Sequence, residues 1–272
     1  MAATATPGES REQAYGAGLL DYQKPLELRR LRALEKFADP ITRASISGRG
    51  LQTGWRCLEL GGGAGSIAQW LARQCAPGEV VVTDIDTRLL SRRGVPNLTI
   101  LRHDVVQDDF PAGSFSLVHA RALLEHLPER DKTIARMVRW TAPGGWVCVD
   151  GLILVSSPEG AQNAYHRCMD ALIALVSGQM QVDVRWATAL PRLLAQAGLE
   201  DVDLMCAPGR VGRNGNADAL TQLTLEQLGP AMVHQGLVTQ QDLTDCRELL
   251  ASGSYTDLAF LTLSTWGRRP HP

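Results

Sequence analysis

Lysine is almost missing from this chain: three lysines (Lys24, Lys36, Lys132) stand against twenty-four arginines. Positive charge does not accumulate either, because 29 acidic residues bring the formal net charge to −2. A chain without cationic excess has little to drive electrostatic capture of nucleic acid or of an anionic membrane. Long apolar runs are absent too. None reaches the roughly 18 residues that would cross a bilayer, and residues 1–10 are small and polar, without the apolar stretch of a secretory signal. The expectation is a cytoplasmic protein with neither nucleic acid nor membrane as partner. Cysteine spacing excludes more: Cys57, Cys75, Cys148, Cys168, Cys206 and Cys246 are scattered and no CxxC pair occurs. Neither a disulfide framework nor a zinc site is expected. No carboxylate cluster reads as a magnesium site, so no metal is expected.

What is present is alternation. Residues 12–50 read as helical, with Leu28, Leu31, Leu34 and Phe37 recurring every third position as one apolar stripe. Gly48, Gly50 and Gly54 break that helix. From Trp55 onward short apolar strands at 56–60, 79–84, 98–102, 115–119 and 146–150 are separated by helical patterns at 66–74, 87–93 and 130–141. Strands alternating with helices in this way specify βαβ units and a parallel sheet covered on both faces. Further on, helices are expected at 161–177, 190–197 and through most of 217–251. Strands are expected at 201–206 and 258–266.

The chemistry concentrates after the first strand. In Glu59-Leu-Gly-Gly-Gly-Ala-Gly-Ser66 the glycines at 61, 63 and 65 allow a sharp turn and close approach of a ligand to the backbone, and the helix behind the turn offers unpaired N–H groups. Asp84 lies twenty-one positions after Gly63 at the end of strand two, where an acidic side chain can accept from both hydroxyls of a ribose. The dinucleotide pattern G-x-G-x-x-G places a pyrophosphate on the helix dipole. Here its third glycine is replaced by Ser66, and the turn opens on Glu59, which would be unfavourable beside a pyrophosphate. S-adenosylmethionine (SAM) has no phosphate and carries a positive sulfonium.

Glu59-Leu-Gly-Gly-Gly-Ala-Gly65, Val-Val-Val-Thr-Asp84-Ile-Asp86, Arg102-His-Asp-Val105, Phe115-Ser-Leu-Val-His-Ala-Arg121 and Pro143-Gly-Gly145 are similar, in order and spacing, to the successive motifs of class I SAM-dependent methyltransferases. The likeness covers about residues 55–150. A looser resemblance, in 119–130 and at the chain ends, is to actinobacterial small-molecule methyltransferases. The fold it implies is α/β: a Rossmann-like, mostly parallel sheet of seven strands, with an N-terminal helical cap at 1–50. The SAM-binding domain would span 51–272, and 159–250 would contribute a helical lid before the last strand.

The resemblance also implies roles. Glu59 and Gly61, Gly62, Gly63 and Gly65 would line the methionine and ribose of SAM. Asp84 would take the ribose hydroxyls, Ile85 would pack on the adenine, Asp104 would accept from its amino group, and the Val105 N–H would meet the ring. His119 would lie near the sulfonium. Asp104 could instead close a turn, and Asp86 reads as the N-cap of a helix from Thr87. His103 reads as a solvated neighbour of Asp104. His119, Glu125 and His126, which follow strand four, are the candidate catalytic bases. Tyr15, Tyr22 and Trp186, with Met169, Met180 and Met205, are candidates for an apolar acceptor pocket. His166 and His234 read as solvated or core residues. The expected activity is methyl transfer to oxygen or nitrogen of a small molecule, such as one of antibiotic biosynthesis. A SAM-binding protein without methylating activity and an NAD-dependent oxidoreductase are the alternatives.

Overall fold

A computed structural model of the chain describes residues 18–20, 23–155 and 163–272. Tyr15 and Tyr22 lie outside the described residues. Helix α1 (Pro25–Ser47) is followed by β1 (Cys57–Leu60), α2 (Ser66–Cys75), β2 (Val80–Asp84), β3 (Leu98–Arg102), β4 (Phe115–Arg121), α3 (Arg130–Trp140) and β5 (Thr141–Leu154). Then come α4 (Ala164–Gln179), α5 (Leu190–Gln196), β6 (Glu200–Val211), α6 (Asp218–His234), α7 (Gln240–Ala251) and β7 (Asp257–Arg268). The seven strands form one sheet in the order β3-β2-β1-β4-β5-β7-β6, mostly parallel with one antiparallel hairpin. This is the expected Rossmann-like architecture. Among the described residues no helix is long and apolar enough to cross a membrane.

The chain divides into two compact units. The described residues of one fall within Met1–Leu34, Leu154–Val182 and Gly209–Phe260; the other holds Glu35–Ile153, Asp183–Pro208 and Leu261–Pro272. The boundary cuts α1 between Leu34 and Glu35. In the first unit α4, α6 and α7 bury Met169, Leu172, Leu228, Met232, Leu243 and Leu250. Glu27 is fully enclosed there and is held by Arg30, at 2.6 and 2.9 Å, and by Gln227 Nε2 at 2.7 Å.

The second unit carries the parallel part of the sheet, and its strands alternate between two cores as a period of two requires. Leu58, Leu60, Val118, Ala120, Val147 and Val149 enter one core. Cys57, Leu117 and Cys148 enter the other, with Ile46 of α1 and Ile67 and Leu71 of α2. Strands buried on both faces explain their continuous apolar runs.

Three elements differ from the sequence reading. The helix expected at 87–93 shrinks to one 3-10 turn, Thr87–Leu89, which Asp86 caps by accepting from Arg88 N at 3.1 Å; Leu90 is already extended. Strand β5 begins before Pro143-Gly144-Gly145 rather than after it. Its register on β4 jumps from Phe115↔Thr141 to Leu117↔Trp146, so those residues form a bulge within the strand. Strand β6 runs five residues past its expected end at 206, to Val211.

Candidate functional site

The loop between β1 and α2 turns through left-handed backbone at Gly61, Gly63 and Gly65, with φ of 64°, 54° and 93°. Such values favour glycine because other residues there pay a Cβ clash. Gly62 is needed for a different reason. A Cβ on it would sit 2.3 Å from Val82 Cγ2, so the loop lies flat on β2. At the end of β2 the Asp84 carboxylate accepts from Gly63 N at 3.0 Å and from Asp86 N at 3.1 Å. Burial pushes its pKa up to about 6, against the pull of the Asp86 and Gly63 amides. The glycine loop and Asp84 thus lie against each other, with Ile85 half-buried beside them and its carbonyl held by Arg102 Nε at 3.0 Å.

One strand further, Asp104 closes a turn. Its Oδ1 accepts from Val106 N at 2.9 Å and its own N–H goes to Asp108 Oδ2 at 2.8 Å. Val105 is buried in the core. His103 corrects the expectation of a solvated neighbour. It is 5% exposed, stacked on Phe110 at 4.6 Å and edge-on to Trp140, and burial lowers its pKa.

Glu59, His119 and Asp150 point from adjacent strands to the same face, since Glu59 pairs with His119 across β1 and β4 and Asp150 ends the β5 stretch beside them. The His119 ring has no exposed surface. Its Nδ1 lies 2.5 Å from Glu59 Oε2 and its Nε2 3.3 Å from Asp150 Oδ2. Burial alone would strip its proton, but the two carboxylates outweigh burial and raise the pKa to about 9. An imidazolium with both N–H groups engaged has no lone pair with which to accept a proton. With both ring nitrogens facing carboxylates, His119 is poorly placed to act as the expected base.

Sequence reasoning missed the face of α1 that meets this region. Glu35 Oε1 accepts from Ser66 N at 2.9 Å, so the first N–H of α2 is occupied by a carboxylate. Asp39 Oδ1 accepts from Ser66 Oγ and from Arg121 Nη1, both at 2.8 Å, and its Oδ2 from Arg43 at 2.6 Å. Thr42 donates to Asp150 Oδ2. Residues 35, 39 and 42 follow an i, i+4, i+7 pattern. A polar stripe of that period beside the apolar one was the available signal, because a solvated stripe and a buried polar stripe look alike in sequence.

Of the other candidates, Glu125 sits in the 3-10 turn Leu124–His126 just past β4 and is 7% exposed. Burial raises its pKa to about 7, and its Oε2 has no hydrogen-bond partner among the described residues. His126 is half-buried in the same turn, its N–H bonded to Leu123 O at 3.0 Å. Trp186 belongs to the core and carries Arg130 over its ring at 5.3 Å. It also lines an open cleft of about 360 Å³ with Pro128–Lys132. Met169 is buried within α4, and Met205 is exposed on β6. His166 is neither solvated nor apolar core: its Nε2 pairs with Asp257 at 2.8 Å, and Tyr255 donates to the same carboxylate oxygen at 2.7 Å.

Residues 24–204 match the sequence profile of the family described as Methyltransferase domain. Methyltransferase str3 of Strobilurus tenacellus is 34% identical over 111 residues, 40% of this chain and 39% of that protein. A ubiquinone/menaquinone biosynthesis C-methyltransferase of Cupriavidus necator is 30% identical over 178 residues, 58% of this chain and 73% of that protein. The chain thus spans between about two-fifths and three-quarters of the length of these curated relatives. Among solved structures, a Haemonchus contortus phosphoethanolamine N-methyltransferase 2 in complex with S-adenosyl-L-methionine superposes with a TM-score of 0.54 at 17% identity, covering 95% of this chain and 56% of that one. With the family match covering most of the chain, and the sheet order and glycine loop agreeing with it, the chain belongs to the methyltransferase-domain family.

Proposed function

We propose that the chain transfers the methyl group of SAM to an oxygen or nitrogen of a small-molecule acceptor. One observation carries the cofactor reading: the N-terminus of α2 is already capped by Glu35. In pyrophosphate-binding folds that helix end faces the phosphate. Here a pyrophosphate would meet Glu35 and Asp39 at the helix and Asp84 at the end of β2. A nucleoside with a cationic sulfonium suits the same carboxylates. The flat approach at Gly62 and the Asp84 carboxylate facing the loop fit a ribose drawn close to the backbone. Gly61, Gly62, Gly63 and Gly65 would hold the amino-acid and ribose portion, Asp84 the ribose hydroxyls, Ile85 the adenine face, the Val105 N–H the ring and Asp104 its amino group.

Bound SAM supplies an electrophilic methyl group on a good leaving group, so the protein's share is alignment and exclusion of water. A hydroxyl or ammonium acceptor must also lose a proton. Glu125 suits that task, because a carboxyl whose pKa burial raises to about 7, with an oxygen that has no hydrogen-bond partner among the described residues, can take the proton at neutral pH. The test is incubation with methyl-labelled SAM and a fractionated pool of small hydroxyl and amine compounds, read by mass spectrometry. The expected result is label on a small molecule, reduced about a hundredfold or more by Glu125→Gln, the span ascribed to a general base. Label found only on protein or RNA would overturn the acceptor reading, and full activity of Glu125→Gln would overturn the base.

A further inference from the structure

We propose that Arg130 is the positioning residue for the Glu125 base: its guanidinium holds the turn that carries Glu125 and keeps a positive charge beside the carboxyl. The inference rests on the base reading above and deepens it.

Glu125 stands in a 3-10 turn of three residues, Leu124–His126. That turn is closed by Leu127 N on Leu124 O at 3.0 Å, and so short a piece of 3-10 backbone has little rigidity of its own. Arg130, the first residue of α3, reaches back to it. Its Nε donates to Leu124 O at 3.1 Å and its Nη2 to Glu125 O at 2.9 Å. These two donors share one edge of the planar guanidinium, so the fork fixes two successive carbonyls at once. The Trp186 ring, with its centroid 5.3 Å from the guanidinium carbon, steadies the fork.

The charge of Arg130 is not spent on a neighbour. The adjacent carboxylate, Glu129, accepts from Lys132 Nζ at 2.8 Å, and Asp131 is exposed. The N–H groups of Arg130 go to carbonyls, which leave its charge in place. That charge acts on Glu125. Burial raises the Glu125 pKa and the Asp150 carboxylate adds to the rise, while the Glu125 and Leu152 amides and Arg130 pull against it. His126 is the other titratable side chain of the turn. A base held in this way keeps both its direction and its ability to ionise near neutral pH.

The test is methyl transfer from labelled SAM, at saturation, to the small-molecule fraction that the wild type labels, followed from pH 5 to 9. NMR titration of the Glu125 carboxyl carbon in glutamate-labelled protein runs alongside it. In the wild type the rate should rise through the same pH, about 7, at which Glu125 titrates. Arg130→Gln should move both upward by about one pH unit, so that its loss of rate is about tenfold greater at pH 6 than at pH 9. Arg130→Lys, which keeps the charge without the fork, should keep the wild-type titration at a lower rate throughout. Arg130→Met takes the place of Arg130→Gln if that variant does not fold. A rate lowered equally at every pH, with the Glu125 titration unmoved, would show that Arg130 serves the fold alone and would overturn the assignment, as would wild-type behaviour of Arg130→Gln. In either case a loss of about a hundredfold in Glu125→Gln spares the base. Full activity of Glu125→Gln, or label on no small molecule, overturns the base reading and the inference with it.

Discussion

Replacing Asp84 with alanine is expected to weaken SAM binding by about a hundredfold at neutral pH. Hydrogen bonds to a charged group contribute about 1.5–3 kcal/mol each, and two ribose hydroxyls are in question. The loss should appear in the dissociation constant and much less in turnover of the bound complex, because the ribose is remote from the transferred group. The wild type carries a pH signature with it. Asp84 must be ionised to accept from both hydroxyls, and burial has raised its pKa to about 6. Below that value the folded protein holds a neutral carboxyl, so affinity should fall roughly tenfold per pH unit as pH drops under about 6. The variant should lack that slope. Calorimetric titration between pH 5 and 8 measures both effects; a pH-independent wild type or an unchanged Asp84→Ala constant would remove Asp84 from the site.

The second large effect concerns stability. His119→Ala is expected to cost about 3–5 kcal/mol, the range for breaking a buried ion pair by removing one partner. The remaining Glu59 and Asp150 carboxylates would face each other without a cation between them. The pH dependence gives the sharper reading. The folded pKa of about 9 lies above the ordinary histidine value near 6.5. The contribution of His119 is therefore fully present below about 6.5 and is lost as pH rises through about 9. Wild-type stability should decline over that window. The variant should lack this decline. Urea unfolding from pH 5 to 10 decides it. A variant whose curve runs parallel to that of the wild type would mean that His119 is neutral.

These two residues also mark how far the sequence could be read. Asp84 was legible because β1, its loop, α2 and β2 form one local unit in which spacing fixes position. The glycines were legible because left-handed backbone and contact with Val82 leave few other choices. The alternating apolar strands gave the sheet for a similar reason, since each strand carries its own burial pattern. His119 was placed near the site, but its pairing with the carboxylates that flank it was not foreseen. A histidine's role depends on what faces it, and its partners lie 60 residues upstream on Glu59 and 31 downstream on Asp150. Glu35 and Asp39 were not recognised at all. Their partner, Ser66, is 31 and 27 residues away, and helical periodicity says which residues share a face but not what that face meets. The helix expected at 87–93 starts at its expected cap, Asp86, but stops after one turn, because Leu90 is extended and packs against the core beside α2, a contact that the local pattern does not show.

The central claim is that this glycine loop, closed by Glu35 at the helix end, accepts a cationic nucleoside and rejects a pyrophosphate. Side-by-side titration of the purified wild type with SAM and with NADH at pH 7.5 tests it most directly. The account predicts saturable binding of SAM with no measurable binding of NADH. It also predicts that Glu35→Gln, which removes the charge from the helix end, narrows the difference. Tighter binding of NADH than of SAM by the folded wild type would contradict it.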